Sequence, residues 1–121
     1  MKRPIFLFAT IISATILPPS VIAQNAAGPS FNCARAKTMA ENAICASPAF
    51  AAQDRAIASL YPRVRNATPP ARRPALARDQ ADFNRSRELC YTPEQAQDDC
   101  LESLLQSRVW QLNAWLRGGY R

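Results

Sequence analysis

Apolar residues recur every three or four positions along most of the chain after residue 30, which is the pattern of helices that bury one face. One such stripe runs between residues 50 and 64, and a longer one runs from residue 101 to residue 116. No segment alternates apolar and polar residues over the length of a strand. The pattern therefore predicts an all-α domain, a small antiparallel bundle of three longer helices and one short N-terminal helix.

Capping signals predict where the first two helices begin. Thr38 and Glu41 have the spacing of a capping box, which starts a short helix that ends near Cys45. Ser47-Pro48 places a cap residue before a proline at the first helical position, where its missing N–H has no effect on the helix. This second helix is predicted to continue to about Asn66.

Proline and glycine divide the rest of the chain. Thr68-Pro69-Pro70 ends the second helix, and the third is predicted to start near Ala71. Thr92-Pro93 again places a cap before a proline, so we expect a fourth helix to begin there. Gly118-Gly119 is predicted to end it.

The N-terminus has the features of a secretory signal peptide. Lys2 and Arg3 precede an apolar run from residue 5 to residue 17, and Val21-Ile22-Ala23 is the ending that signal peptidase requires. The alternative of a membrane anchor is less favoured, since a spanning helix needs about 20 apolar residues. We predict a signal peptide at 1–23, a flexible lead-in at 24–30, the helical domain at 31–117 and a C-terminal tail at 118–121. The mature protein would then be periplasmic or secreted, with no membrane span.

The four cysteines agree with export. An even number of cysteines in a small secreted chain predicts disulfide bonds, although counting alone leaves three pairings open. The spacing favours the pairs Cys33–Cys45 and Cys90–Cys100, so that each disulfide closes a short loop and the bundle is tied at its connections. A redox enzyme is disfavoured because the chain has no Cys-x-x-Cys motif.

The charge of the chain comes mainly from arginine. The whole sequence has a formal charge of +6, and loss of Lys2 and Arg3 with the signal peptide leaves about +4, which suits anionic partners or internal ion pairs. Export makes nucleic acid an improbable partner, so none is predicted. The densest cations occur on the third helix and are the first candidates for a binding face, although they would equally solubilise the bundle: Arg72, Arg73, Arg78 and Arg85.

The sequence offers little for catalysis. It contains no histidine, so the usual activated nucleophiles and the commonest general base are absent. Asp98, Asp99 and Glu102 could supply an acid–base pair or a weak calcium site, but the better interpretation is a helix N-terminus stabilised by its dipole. We therefore predict that the protein is not an enzyme and that it has no cofactor and no metal site.

One polar group is predicted where two helices face each other. Asp54 lies at the edge of the apolar stripe of the second helix, and Arg87 shares a face of the third helix with Gln80 and Phe83. An Asp54–Arg87 ion pair with Tyr61 nearby would fix the register of the two helices. The same group would alternatively form a polar recognition patch.

Two motifs stand out once the helices are assigned. The first comprises Phe31-Asn32-Cys33, Thr38, Glu41, Ile44-Cys45, Phe50-Ala51-Ala52-Gln53-Asp54 and Tyr61. The second comprises Gln80, Phe83, Arg87-Glu88 and Cys90, followed by Cys100-Leu101. Together and in this order they resemble the lysozyme-inhibitor LprI-like N-terminal domain family, whose members are small secreted or periplasmic helical domains. The chain departs from the family pattern at Phe83, where tryptophan is usual, at Glu88, where aspartate is usual, and at Asn32, where aspartate is frequent.

The resemblance implies that the protein binds and blocks lysozyme. An arginine held on a rigid helix would form charge-assisted bonds with the two catalytic carboxylates of a lysozyme cleft. Lysozymes are commonly basic, however, so a basic inhibitor gains no long-range attraction. The alternative is an envelope-binding module whose arginines contact an anionic glycan, a lipid headgroup or an acidic protein.

Overall fold

The computed structural model describes residues 27–92 and 94–118, and in this part the protein is mostly helical. The prediction of an all-α domain is confirmed. The predicted signal peptide lies outside the described residues, as do positions 24–26 of the lead-in and 119–121 of the tail. The elements in chain order are a 3-10 turn at Cys33–Arg35, α1 at Met39–Ala46, α2 at Pro48–Ala67, a 3-10 turn at Pro70–Arg72, α3 at Arg73–Leu89, β1 at Tyr91–Thr92, β2 at Gln95–Ala96 and α4 at Asp98–Leu116.

The caps of α1 and α2 are those that the sequence predicts. Thr38 Oγ1 accepts a hydrogen bond from the Glu41 backbone N–H at 3.1 Å, and the Glu41 carboxylate accepts one from the Thr38 N–H at 3.2 Å. Ser47 Oγ accepts from the Phe50 N–H at 3.3 Å, and Pro48 is the first residue of α2. These bonds satisfy backbone donors that have no partner inside a helix.

The capping box makes the stability of the protein depend on pH through Glu41. Hydrogen bonds from the backbone N–H groups of Lys37 and Thr38 hold the pKa of the Glu41 carboxyl below its usual value. A lowered pKa in the folded state stabilises the protein above the unfolded-state pKa of about 4.3 and stops doing so as the pH falls through the folded-state pKa. We expect wild type to exceed Glu41→Gln in urea midpoint at neutral pH and this difference to shrink below about pH 4. A difference that stays constant down to pH 3 would contradict this role of the carboxylate.

The core lies mainly between α2 and α4, which pack against each other more extensively than any other pair of described elements. Apolar residues of every α-helix contribute to it, and Leu76 is the buried apolar residue of α3. Other members of the core are Ile44, Phe50, Ile57, Leu60, Val64, Cys90, Leu101, Leu105 and Leu112. The apolar stripes seen in the sequence are therefore the buried faces of the helices.

Two disulfide bonds join the helix connections. Cys33 is bonded to Cys45 and Cys90 to Cys100, which is the pairing that the spacing favours. The first bond ties the segment before α1 to the end of α1. The second ties the end of α3 to the first turn of α4. In the described residues, no helix combines the length and the apolar character that crossing a membrane requires.

The predicted start of the fourth helix at Thr92-Pro93 is wrong. Thr92 lies in β1 and pairs with Gln95 of β2, and α4 begins only at Asp98. The disulfide between Cys90 and Cys100 explains the difference, because the chain must turn back within a ten-residue loop to bring the two sulfur atoms together. The Gln97 backbone N–H donates to the Cys90 carbonyl at 3.3 Å and closes this hairpin.

The end of α4 agrees with its glycine signal. The helix ends at Leu116, and Gly118 adopts a φ of +81°, which a residue without a side chain reaches without strain. The Gly118 N–H donates to the Trp115 carbonyl at 3.0 Å, so one of the last helical carbonyls has a partner.

Candidate functional site

A pocket of about 370 Å³ lies where α2 and α3 meet the segment that precedes α1. Glu41 and the residue pair Ser30-Phe31 border it on one side. The five residues that the sequence predicts as an interhelical group all line this pocket: Asp54, Tyr61, Gln80, Phe83 and Arg87. A concave site of this size with a few convergent polar groups is typical of a small-ligand site.

The predicted ion pair between Asp54 and Arg87 is long. Arg87 Nη1 lies 4.0 Å from Asp54 Oδ1, which is an ion-pair contact but too long for a hydrogen bond. The Asp54 side chain is 9% exposed and that of Arg87 16%, so both charges are largely removed from water. Asp54 Oδ2 accepts a hydrogen bond of 2.6 Å from the Ser30 N–H, and Arg87 Nε donates to Glu88 at 3.3 Å. Each of the two side chains is thus fixed by another hydrogen bond, while Asp54 Oδ1 and Arg87 Nη1 remain 4.0 Å apart.

The segment before α1 is attached to α2 at this site. Besides the bond from Ser30 to Asp54, the Arg55 guanidinium donates to the carbonyl oxygens of Ala27 and Gly28. These contacts fasten residues 27–30, the last part of the predicted lead-in, to α2. The backbone at Ser30 thereby becomes one wall of the pocket.

Arg108 of α4 is a buried charge that the sequence interpretation missed. Its residue is 1% exposed, and it donates to Asp79 at 2.5 Å and to Gln80 Oε1 at 3.0 and 2.6 Å. Its guanidinium carbon lies 5.5 Å from the centre of the Phe83 ring, within reach of a cation–π contact. Arg108 is three residues after Leu105 and four before Leu112, so it lies inside the apolar stripe of the sequence. This position is the signal from which its burial could have been predicted.

The Arg108 network changes the role of one predicted residue. Gln80 was expected beside Arg87 on α3, and it does line the same pocket. Its Oε1, however, is taken by Arg108 rather than by Arg87. Gln80 therefore connects the pocket to the buried face of α4.

The four arginines proposed as a binding face have different surroundings. Arg73 donates from Nε to the Thr68 carbonyl at 3.1 Å, which fixes the break between α2 and α3. Arg85 pairs at 3.2 Å with Asp82, both largely in solvent. Arg72 and Arg78 are exposed, and Arg72 borders a different pocket, of about 210 Å³, between the end of α2 and the end of α4.

Two of the acidic residues at the start of α4, Asp98 and Glu102, are engaged in local bonds. The Tyr91 hydroxyl donates to Asp98 at 2.5 Å, and burial together with this carboxylate raises the Tyr91 pKa. Glu102 accepts from the Gln106 side chain at 2.9 Å. Across residues 27–92 and 94–118, no group of three or more histidine, cysteine, aspartate or glutamate residues is arranged to hold a metal ion.

Fold and site together define a small disulfide-bonded helical domain with a pocket between two helices that both apolar and polar side chains line. No protein-family model matches the chain, and comparison with the curated proteins and with the solved structures gives no match either. The resemblance to the LprI-like domains therefore rests on the two motifs described above.

Proposed function

We propose that this protein is a binding domain that inhibits lysozyme outside the cytoplasm. In this proposal the signal peptide at 1–23 is removed near Ala23, the mature domain is periplasmic or secreted, and its helices form the antiparallel bundle that the sequence predicts. A binding role is favoured over catalysis because the chain has no histidine to activate a nucleophile or to act as a base near neutral pH. The two LprI-like motifs supply the resemblance on which the choice of lysozyme rests.

The arrangement of arginines along α3 carries the proposal. Arg87 is largely buried and Arg73 is bonded to the chain before the helix, whereas Arg78 and Arg85 are exposed. These two are seven residues apart, so they lie on the same side of the helix, about 10 Å from each other. Arg78 has no acidic partner among the described residues, while Arg85 is paired with Asp82. Among the arginines of α3, Arg78 is thus the one best placed to enter a cleft that contains carboxylates.

The test is a titration of oxidised protein starting at Gln24 against several lysozyme types in a peptidoglycan-lysis assay. We expect stoichiometric inhibition of at least one type and an inhibition constant weakened about tenfold or more by Arg78→Ala. Arg63→Ala is the matched control, because Arg63 is an exposed arginine on α2 and its removal changes the net charge equally. Absence of binding and inhibition for every type, with a folded and fully oxidised sample, would refute the proposal. Equal losses from both variants would refute the role of Arg78.

The second candidate is an envelope-binding module, and the net positive charge of the chain favours it. A basic domain is attracted to an anionic glycan, to anionic lipid headgroups or to an acidic protein, but is repelled by a basic lysozyme. Ionic strength separates the two functions in calorimetry with lysozyme and with anionic vesicles as probes. Binding to an anionic surface weakens as salt rises, whereas docking on a basic lysozyme is maintained or improves.

A further inference from the structure

We propose that the pocket between α2 and α3 binds one neutral saccharide unit, with a sugar hydroxyl bridging Asp54 and Arg87. This site is separate from the exposed side of α3 that the proposed inhibition would use. The proposed ligand accounts for the pocket beside Asp54 and Arg87, which an ion pair between these two residues does not explain. The inference rests on the spacing of the two charges, on the apolar walls of the pocket and on its charge balance.

The spacing between Asp54 and Arg87 suits a hydroxyl group. Their facing atoms, Oδ1 and Nη1, are 4.0 Å apart, so one oxygen atom can lie at about 2.8 Å from both. A hydroxyl in that position accepts a hydrogen bond from Arg87 and donates its own to Asp54, which uses both capacities of the group. The bonds from Ser30 and to Glu88 hold the two side chains in place from behind. The site is therefore organised before a ligand arrives.

Aromatic and amide side chains complete the pocket. The rings of Tyr61 and Phe83 are partly buried at its wall and offer apolar surface to the C–H face of a sugar ring. Gln80 and Asn84 add planar amide groups. Because Arg108 occupies Gln80 Oε1 from the opposite side, the Gln80 amide N–H group is left to donate, and it makes no other hydrogen bond among the described residues. Arg108 thereby fixes the position of the Gln80 side chain.

The charges at the pocket disfavour an anionic ligand. Two carboxylates, Glu41 and Asp54, face a single guanidinium, that of Arg87. A carboxylate or phosphate ligand would gain one favourable contact and meet two repulsive ones. A neutral polyhydroxylated ligand uses both signs of charge as hydrogen-bond partners. The volume of about 370 Å³ is at the small end of ligand pockets, which matches a single saccharide unit.

The experiment is a titration of the oxidised mature protein, followed by two-dimensional NMR of its backbone and side-chain amides. The probes are N-acetylglucosamine, its β-1,4-linked dimer and glucose, with free alanine as a zwitterion and acetate as an anion. We expect saturable shifts at Gln80, Asn84 and the Arg87 Nε–H for at least one saccharide, with a dissociation constant in the millimolar range. Shifts at these groups from alanine or acetate but from no saccharide would overturn the inference, as would no saturable shift from any probe.

Two variants connect the binding to the proposed residues. Asp54→Asn removes the negative charge of the carboxylate that accepts from the hydroxyl, and Asn84→Ala removes an exposed amide at the pocket rim. We expect saccharide affinity to fall about tenfold for Asp54→Asn and less for Asn84→Ala. Arg78→Ala, which lies outside the pocket, should bind saccharide like wild type whatever its effect on lysozyme. If Asp54→Asn fails to fold, Asn84→Ala keeps the inference testable, because a saccharide affinity equal to that of wild type in this variant would overturn it.

Discussion

Replacing Arg108 with alanine is expected to lower the free energy of unfolding by about 3 kcal/mol. The substitution removes a guanidinium that is 1% exposed and leaves the Gln80 oxygen without its donor, while opening a cavity beside Phe83. This loss is at the lower end of the range for breaking a buried ion pair, because the Asp79 side chain is 49% exposed and can be hydrated once its partner is gone. Urea unfolding of the oxidised proteins measures the difference.

The matched control for this prediction is Arg85→Ala. Arg85 and Asp82 also form an ion pair between an arginine and an aspartate, but their side chains are 70% and 67% exposed. Such a pair contributes little, and we expect its loss to change stability by less than about 0.5 kcal/mol. Equal effects from the two substitutions would show that burial of Arg108 does not determine its contribution.

Removing the second disulfide bond should be the other large change. In the chain-entropy treatment the two bonds are nearly equivalent, since they close loops of 12 and 10 residues, each corresponding to about 3 kcal/mol. Their surroundings differ, because Cys33 is exposed whereas Cys90 is 3% exposed and belongs to the core. We expect Cys90→Ala/Cys100→Ala to lower the free energy of unfolding by about 4 kcal/mol, against about 3 kcal/mol for Cys33→Ala/Cys45→Ala.

The same unfolding experiment separates loop entropy from packing. If loop closure alone mattered, the Cys33→Ala/Cys45→Ala protein would be destabilised as much as the Cys90→Ala/Cys100→Ala protein or slightly more. The hairpin formed by β1 and β2 provides a second readout, because it lies within the loop that the bond from Cys90 to Cys100 closes. Amide hydrogen exchange of Gln97, whose N–H donates to the Cys90 carbonyl, should become faster only in the variant that lacks this bond. Unchanged protection would assign the hairpin to its local sequence.

The third helix presents different residues on its two sides. Its inner side supplies Gln80, Phe83 and Arg87 to the pocket, and its outer side exposes Arg78 and Arg85. Only Leu76 of this helix is a buried apolar residue, so polar contacts contribute more to holding this helix in the fold than they do for the other helices. Substitutions on the two sides should therefore have separable effects, with saccharide binding changed from the inner side and lysozyme inhibition from the outer side.

The caps of α1 and α2 were predictable because their signals are local. Thr38 and Glu41 bond to each other's backbone within one turn, and Ser47 caps the turn that it begins. No distant residue is needed for these bonds, so the sequence pattern is sufficient. Thr92-Pro93 has an equally good local pattern and still does not begin a helix, because the disulfide between Cys90 and Cys100 imposes a hairpin on the chain between them.

The sequence alone predicted the helical class, the first two helix starts and the favoured pairing of the cysteines, because periodicity, caps and short loops act over a few residues. It also predicted a contact between Asp54 and Arg87 from their places on the facing sides of two helices. Only the tertiary structure decided that Arg108 is buried, since an arginine in an apolar stripe can equally extend its charge to solvent until a partner such as Asp79 is placed beside it. It also decided the 4.0 Å separation between Arg87 Nη1 and Asp54 Oδ1, which is too long for a hydrogen bond. Those two results depend on distances between helices that are far apart in the chain, and such distances are fixed by packing rather than by any local pattern.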